Sequence, residues 1–257
     1  MLEIIIDGKK VKTDEEKTIL EAALENGFDI PHLCWHPALE PYGACRVCMV
    51  EVEKKGWKML TTACTYPVSE GLKIYTGSER VISARRFILE HLLALAPDAE
   101  EVKKLAEEYD VDRVPHPVPR TPYPVPRAPD NCIRCGLCIR VCKELIGKEA
   151  IGFINRGKER IPETPFLDEN PLCMTCGACA YLCPTGRIKV KDAQVREMDV
   201  WHKKEELAVC KNCGKKYASL KQVEEAKRKI EDNKLREILD LCPKCRKEKI
   251  IKNFKKC

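Results

Sequence analysis

The chain has 257 residues, 44% hydrophobic and 33% charged, with a formal net charge of +6 at pH 7. This globular composition excludes a disordered or fibrous protein, and no run of about 18 apolar residues offers a membrane span. Seventeen cysteines dominate the composition. The N-terminal stretch MLEIIIDGKKVKTDEEKT lacks the basic, apolar and cleavage features of a secretory signal, which points to the cytoplasm. In that compartment dense cysteine reads as metal ligation before disulfides. Scarce Gln (Gln194 and Gln222 alone) beside abundant Lys and Glu leans towards a thermophile. Metal-bound cysteines are thiolates, so the positive balance is not by itself a nucleic-acid signal.

In chain order, Leu2 to Ile6 and Lys10 to Thr13 read as strands around an Asp7-Gly8 turn. Thr18 to Asn26 carries Ile19, Leu20, Ala23 and Leu24 at helical spacing and stops at Asn26-Gly27. Met49 to Val52, Lys58 to Leu60 and Leu72 to Tyr75 are further strands, and the whole predicts a β-grasp sheet over residues 1–77. From Ser78 a helical period through Val81, Ala84, Arg85, Ile88, Leu89 and Leu92 runs to Pro97. Asp98 is then placed to cap a second helix, Ala99 to Tyr109. Seven prolines from Pro115 to Pro129 predict an extended arm, either a spacer or a strap on a partner subunit, closing a linker over 78–128. Two similar cysteine runs follow in 129–192. A tail over 200–257 has a charged helix, Leu220 to Leu239, between its two cysteine pairs.

Cys132, Cys135, Cys138 and Cys142 repeat the spacing of Cys173, Cys176, Cys179 and Cys183-Pro184, the run of two-cluster ferredoxins. Three cysteines in a tight loop can grip three corners of one cubane, while the fourth, on the following helix, points to the other cluster. The spacing thus predicts one 4Fe-4S cluster on Cys132, Cys135, Cys138 and Cys183, and a second on Cys142, Cys173, Cys176 and Cys179. Gly136 and Gly177 would let backbone amides approach the sulfides.

The first block, Cys34, Cys45, Cys48 and Cys64, suits a 2Fe-2S cluster with two thiolates per iron, although its spacing is not that of plant ferredoxins. The stretches PHLCWHPALEPYGACRVCMVEVE, TTACTYPVSEGLKIYT and SERVISARR resemble the N-terminal part of the large iron–sulfur subunit of respiratory complex I. They also resemble the diaphorase and electron-bifurcating subunits of soluble NAD(P)-linked hydrogenases. With the two-cluster unit, the resemblance extends to about residue 190. It implies partners such as a flavin- and NAD(P)H-binding subunit, a thioredoxin-like 2Fe-2S subunit and ferredoxin. It departs in LLALAPDAEEVKKLAEEY, where Ala96 stands in place of the family's His and no cysteine lies between Cys64 and Cys132, so one family 4Fe-4S cluster is absent. His91 nearby reads as a packing or surface residue. His36, beside Trp35, reads as an outer or interface residue.

In the tail, VCKNCGKKYASL and LCPKCRKEK supply Cys210, Cys213, Cys242 and Cys245. These suit a structural zinc in a zinc-ribbon-like unit, with a further iron–sulfur cluster as the competitor. Cys257 is expected to be unligated. No dinucleotide loop, P-loop, nucleophile elbow or hydrogen-activating metal signature occurs, so no catalytic residues are expected. The α+β, multi-domain chain therefore reads as an electron relay with one 2Fe-2S cluster, two 4Fe-4S clusters and one zinc. Its short length suggests that the catalyst is on another polypeptide, a nickel–iron hydrogenase first, with a formate dehydrogenase or a ferredoxin-dependent NAD(P) oxidoreductase as alternatives. A redox-sensing zinc-ribbon regulator is the reading from another class.

Overall fold

The computed structural model describes residues 1–111 and 130–254; the proline arm and Cys257 lie outside them. The N-terminal unit is a five-stranded sheet of β1 (Leu2–Ile6), β2 (Lys9–Thr13), β3 (Met49–Lys54), β4 (Trp57–Thr62) and β5 (Lys73–Tyr75), in the order β2-β1-β5-β3-β4. β1 and β5 pair in parallel and the other neighbours are antiparallel. Helix α1 (Ile19–Glu25) is set by a capping box: Thr18 accepts from the Glu21 amide, and the Glu21 carboxylate accepts from the Thr18 amide. Its buried Leu20 and Ala23 share a core with Ile4, Ile6, Val50, Val52 and Ile74. Side chains of alternating strand residues meet one face of an amphipathic helix, which is the β-grasp expectation.

Helix α2 (Glu79–Leu95) begins at the Ser78 hydroxyl and ends before Pro97. Arg85, within its apolar stripe, is buried. Its guanidinium donates twice to the Met49 carbonyl (3.1 and 2.7 Å) and once to the Tyr109 hydroxyl (2.7 Å), so no donor group is left unpaired. Helix α3 (Glu100–Glu108) follows without a side-chain cap. The expected Asp98 cap is not made. Asp98 instead exchanges hydrogen bonds with Asn131: its amide donates to Asn131 Oδ1 at 3.0 Å and its carboxylate accepts from Asn131 Nδ2 at 2.8 Å. A long-range partner has displaced a local one.

The second unit holds α4 (Leu137–Arg140), continued by a wider π turn Val141–Leu145, a two-stranded sheet of β6 (Gly152–Ile154) and β7 (Ile161–Glu163), and α5 (Ala178–Tyr181). Four further strands, β8 (Lys191–Asp192), β9 (Val195–Met198), β10 (Lys203–Val209) and β11 (Lys216–Ser219), form one antiparallel sheet. This sheet crosses the expected break between 192 and 200. The predicted tail helix is two helices, α6 (Leu220–Arg228) and α7 (Asn233–Ile238), before α8 (Pro243–Phe254). The Asp232 carboxylate caps α7 by accepting from the Lys234 and Leu235 amides, which fixes the break.

One apolar core joins Leu89, Leu92, Val102, Cys34 and Cys45 to Cys135, Cys138, Cys179, Met198 and Trp201. Two cysteines of the first block and members of both later runs therefore lie around a shared interior, while Cys48 and Cys64 belong to the N-terminal core.

Candidate metal centres

Cys34 lies on the loop after α1, Cys45 and Cys48 on the approach to β3, and Cys64 just beyond β4; each is at most 3% exposed. The Cys45 amide donates to the Cys34 sulfur at 3.4 Å. The thiols of Cys45 and Cys64 donate to Cys34 and lower it well below the usual thiol range, while Cys45 and Cys64 are themselves pushed up. Four buried sulfurs linked to one another by hydrogen bonds form a donor set that fits iron. Arg46, at φ 62, turns the backbone between Cys45 and Cys48.

The two later runs repeat each other at the backbone. Arg134 (φ 55) and Gly136 (φ 74) flank Cys135, and Thr175 (φ 48) and Gly177 (φ 83) flank Cys176. Alternating left-handed residues aim amides at sulfur: the Arg134 amide donates to Cys132 Sγ at 3.4 Å. The glycines were legible from sequence; the left-handed Arg134 and Thr175 were not, because non-glycine residues seldom adopt that conformation. A Cβ on Gly136 would approach Tyr42 Cε1 at 3.3 Å, so the loop fits closely against the first unit.

The runs cross. One pocket is lined by Cys132, Cys135, Cys138 and Cys183, and another by Cys142, Cys173, Cys176 and Cys179. Each collects three cysteines of one run and the fourth of the other. Apolar burial pushes Cys135 and Cys179 up to about 12 in the metal-free chain, so cluster binding must displace protons. Both cavities, with four sulfurs each and cradling glycines, fit a cubane.

Three contacts around these sites are not legible in the sequence. Buried Arg140, on α4, donates from Nη2 to the Cys34 carbonyl at 2.5 Å and from Nη1 to the Glu40 carbonyl. Trp201, 1% exposed, donates its indole N–H to Cys179 Sγ at 3.4 Å. Lys203, also buried, pairs with Glu169 and Glu205. None has a local signature, because each is brought to its site from a distant segment. His91 is an exposed residue of α2 whose Nδ1 lies 2.8 Å from the Phe87 carbonyl. Trp35 is half-buried against the N-terminal core, with His36 half-buried beside it.

In the tail, Cys210 and Cys213 close the β10–β11 turn, and Cys242 and Cys245 lie at the start of α8. Their four sulfurs lie within 4.8 Å of one another, with Cys213 and Cys242 3.7 Å apart. Three of the four cysteines are buried and Cys213 is exposed. Tyr217 and Leu241 pack against them, so the small local core is the site itself.

A 2Fe-2S domain ahead of a 4Fe-4S dicluster domain defines an iron–sulfur electron-transfer protein. Residues 1–79 match the 2Fe-2S iron-sulfur cluster binding domain family, and residues 131–187 match the 4Fe-4S dicluster domain family. NADPH-Fe(3+) oxidoreductase subunit alpha of Geobacter sulfurreducens is 36% identical over 213 residues, 76% of this chain and 25% of that protein. NADP-reducing hydrogenase subunit HndD of Solidesulfovibrio fructosivorans is 34% identical, covering 81% and 38%. A subunit of the NADH-quinone oxidoreductase of Rickettsia prowazekii is 30% identical, covering 74% and 30%. A chain of the crystal structure of an NAD+-reducing [NiFe]-hydrogenase in the H2-reduced state aligns with TM-score 0.61 and 31% identity, over 72% of this chain and 85% of that one. The chain belongs to this family of iron–sulfur electron-transfer subunits of NAD(P)-linked oxidoreductases. It spans about a quarter to two fifths of the length of those curated relatives. Among the described residues, no helix is long and apolar enough to cross a membrane.

Proposed function

We propose that the chain is an electron relay. One 2Fe-2S cluster on Cys34, Cys45, Cys48 and Cys64 would exchange electrons with two 4Fe-4S clusters, on Cys132, Cys135, Cys138 and Cys183 and on Cys142, Cys173, Cys176 and Cys179. The observation that carries this reading is the pair of crossed four-cysteine cavities in the same apolar core as Cys34 and Cys45. A low-dielectric interior excludes water from the clusters and helps to set their potentials. The electron donor would be a flavin- and NAD(P)H-binding subunit in the cytoplasm, with a thioredoxin-like 2Fe-2S subunit beside it. The acceptor would be a hydrogenase subunit, or a formate dehydrogenase or ferredoxin in the same relay role. Electron bifurcation would be a property of that assembly.

The flavin-bearing partner would dock near the 2Fe-2S unit, on the edge formed by Trp35, His36 and the loop before Cys45. That loop is fastened to the second unit at Glu40, whose amide donates to Glu144 at 2.9 Å and whose carbonyl accepts from Arg140.

The tail quartet is proposed to hold one zinc. Tetrahedral thiolates about 2.3 Å from one ion lie about 3.8 Å apart, close to the observed 3.7 Å. A cubane would need its ligands spread around a larger body.

The test is anaerobic purification with metal analysis and reduction assays. About ten irons and one zinc per chain are expected, with reduction by dithionite and no turnover with NAD(P)H, H2 or formate unless a flavin-bearing partner is added. Steady NADH oxidation by the flavin-free chain would refute the relay reading.

A further inference from the structure

The two 4Fe-4S runs are duplicates in spacing and backbone conformation, yet the surroundings of their third cysteines differ. Cys138 and Cys179 are the third cysteines of their runs, and both are buried. Among the described residues Cys138 receives no side-chain hydrogen bond, whereas Cys179 accepts the indole N–H of Trp201 at 3.4 Å. Trp201 comes from outside the duplicated unit. It follows β9, beyond the residues that match the dicluster domain family (131–187).

The hairpin of β9 and β10 carries Trp201 over the second cavity, where it lines the wall with Met198. The same hairpin brings two cations into the neighbourhood. Arg196 is committed to Asp192 through two hydrogen bonds of 2.7 and 2.8 Å, and Lys203 is paired with Glu169 and Glu205. Those charges are largely balanced by their carboxylates. The Trp201 N–H has no acceptor besides the Cys179 sulfur among the described residues.

We propose that Trp201 sets the reduction potential of the cluster held by Cys142, Cys173, Cys176 and Cys179, raising it through an N–H···S hydrogen bond to Cys179. One-electron reduction adds a negative charge that is shared with the thiolate sulfurs. A donor aimed at one of those sulfurs stabilises the reduced form more than the oxidised form, and the dry site strengthens the effect. The third cysteine of the other run lacks such a donor, and the side-chain contact of that set is instead the Thr185 hydroxyl, 3.5 Å from Cys183 Sγ, so an indole donor is peculiar to the second cluster. Trp201 acts through Cys179 and is a positioning and tuning residue. The proposal rests on the ligand sets given under Proposed function.

The experiment is an EPR-monitored redox titration of the full-length, cluster-loaded chain, poised with dithionite, for the unmodified protein and for Trp201→Phe. Phenylalanine keeps the ring in the core and deletes the donor. The signal of the Cys142, Cys173, Cys176 and Cys179 cluster is identified as the one lost in Cys179→Ala. That signal is expected to titrate at a lower potential in Trp201→Phe, while the signals of the 2Fe-2S cluster and of the other cubane stay in place. An unmoved potential at full iron content would overturn the proposal. Should Trp201→Phe lose the cluster, a Trp35→Phe, Trp57→Phe chain that keeps Trp201 as its one tryptophan, labelled with 15N-indole, decides. A 15N coupling on that EPR signal supports the hydrogen bond, and its absence overturns it. If Cys179→Ala removes no signal, the ligand assignment fails, an outcome distinct from failure of the tuning.

Discussion

Arg140 donates to the carbonyl of Cys34 at 2.5 Å, so a side chain from the dicluster unit holds the backbone of a cysteine in the N-terminal unit. Arg140 lies between Cys138 and Cys142, one from each cavity. Its guanidinium also lies 5.4 Å from the Tyr42 ring, which adds a cation–π contact to the two carbonyl bonds. A buried, charged donor serving two carbonyls is worth more than its separate bonds, because removing it strands both acceptors.

Arg140→Met is therefore expected to cost about 3 kcal/mol of stability. It is also expected to slow electron exchange between the 2Fe-2S cluster and the cubanes. Denaturant unfolding measures the first, and rapid-freeze EPR after a dithionite pulse the second. Unchanged values for both would show that the two units are held together by other contacts.

The crossed cavities give an opposite pair of outcomes for two single changes. Cys142→Ser is expected to damage the cluster on Cys173, Cys176 and Cys179, four residues from its own run's Cys138. Cys183→Ser is expected to damage the cluster on Cys132, Cys135 and Cys138. EPR of each variant distinguishes this from runs that each close their own cubane.

At the tail, Cys213→Ser removes one of four sulfurs lying within 4.8 Å of one another. Loss of about one zinc per chain is expected, with the iron content unchanged. Limited proteolysis should then cut within 205–251 first, since Tyr217 and Leu241 pack on the tail cysteines. Loss of iron in place of zinc would assign a cluster to the tail.

Alkaline pH is expected to separate the metal-free chain from the loaded one. Burial raises Cys135 and Cys179 from an ordinary 9.0 up to about 12. The native metal-free chain thus keeps protons that the unfolded chain releases near pH 9. This contribution is full below pH 9 and is lost as pH rises towards 12. In the loaded chain these thiols are already deprotonated by iron and the dependence disappears. Urea midpoints at about pH 8 and pH 10, for both forms, measure the difference.

Much of this was legible in the sequence because it is local. Asp7-Gly8 specifies the first hairpin, the spacing of Ile19, Leu20, Ala23 and Leu24 the first helix, and the cysteine spacings the loops that gather three sulfurs. What was not legible depends on distant partners. Asp98 is a good cap in isolation, but Asn131 competes for it. The run from Leu220 to Leu239 reads as one helix until Asp232 is seen to restart it. Trp201 is an isolated aromatic in a charged stretch, and only the hairpin return of β9 and β10 brings it to Cys179. Arg140 likewise reads as an ordinary surface arginine until the loop of Cys34 is folded over it.

The reciprocal pair of Asp98 and Asn131 has a topological consequence. It fastens the chain to itself on both sides of residues 112–129, next to the core that already joins Leu92 and Val102 to Ile133 and Cys135. Side-chain contacts between the described residues, beside the covalent connection, then hold the spacing between the cluster sites. Two polypeptides, one ending and the other beginning within that stretch, would reassemble as a split protein with their redox centres in register.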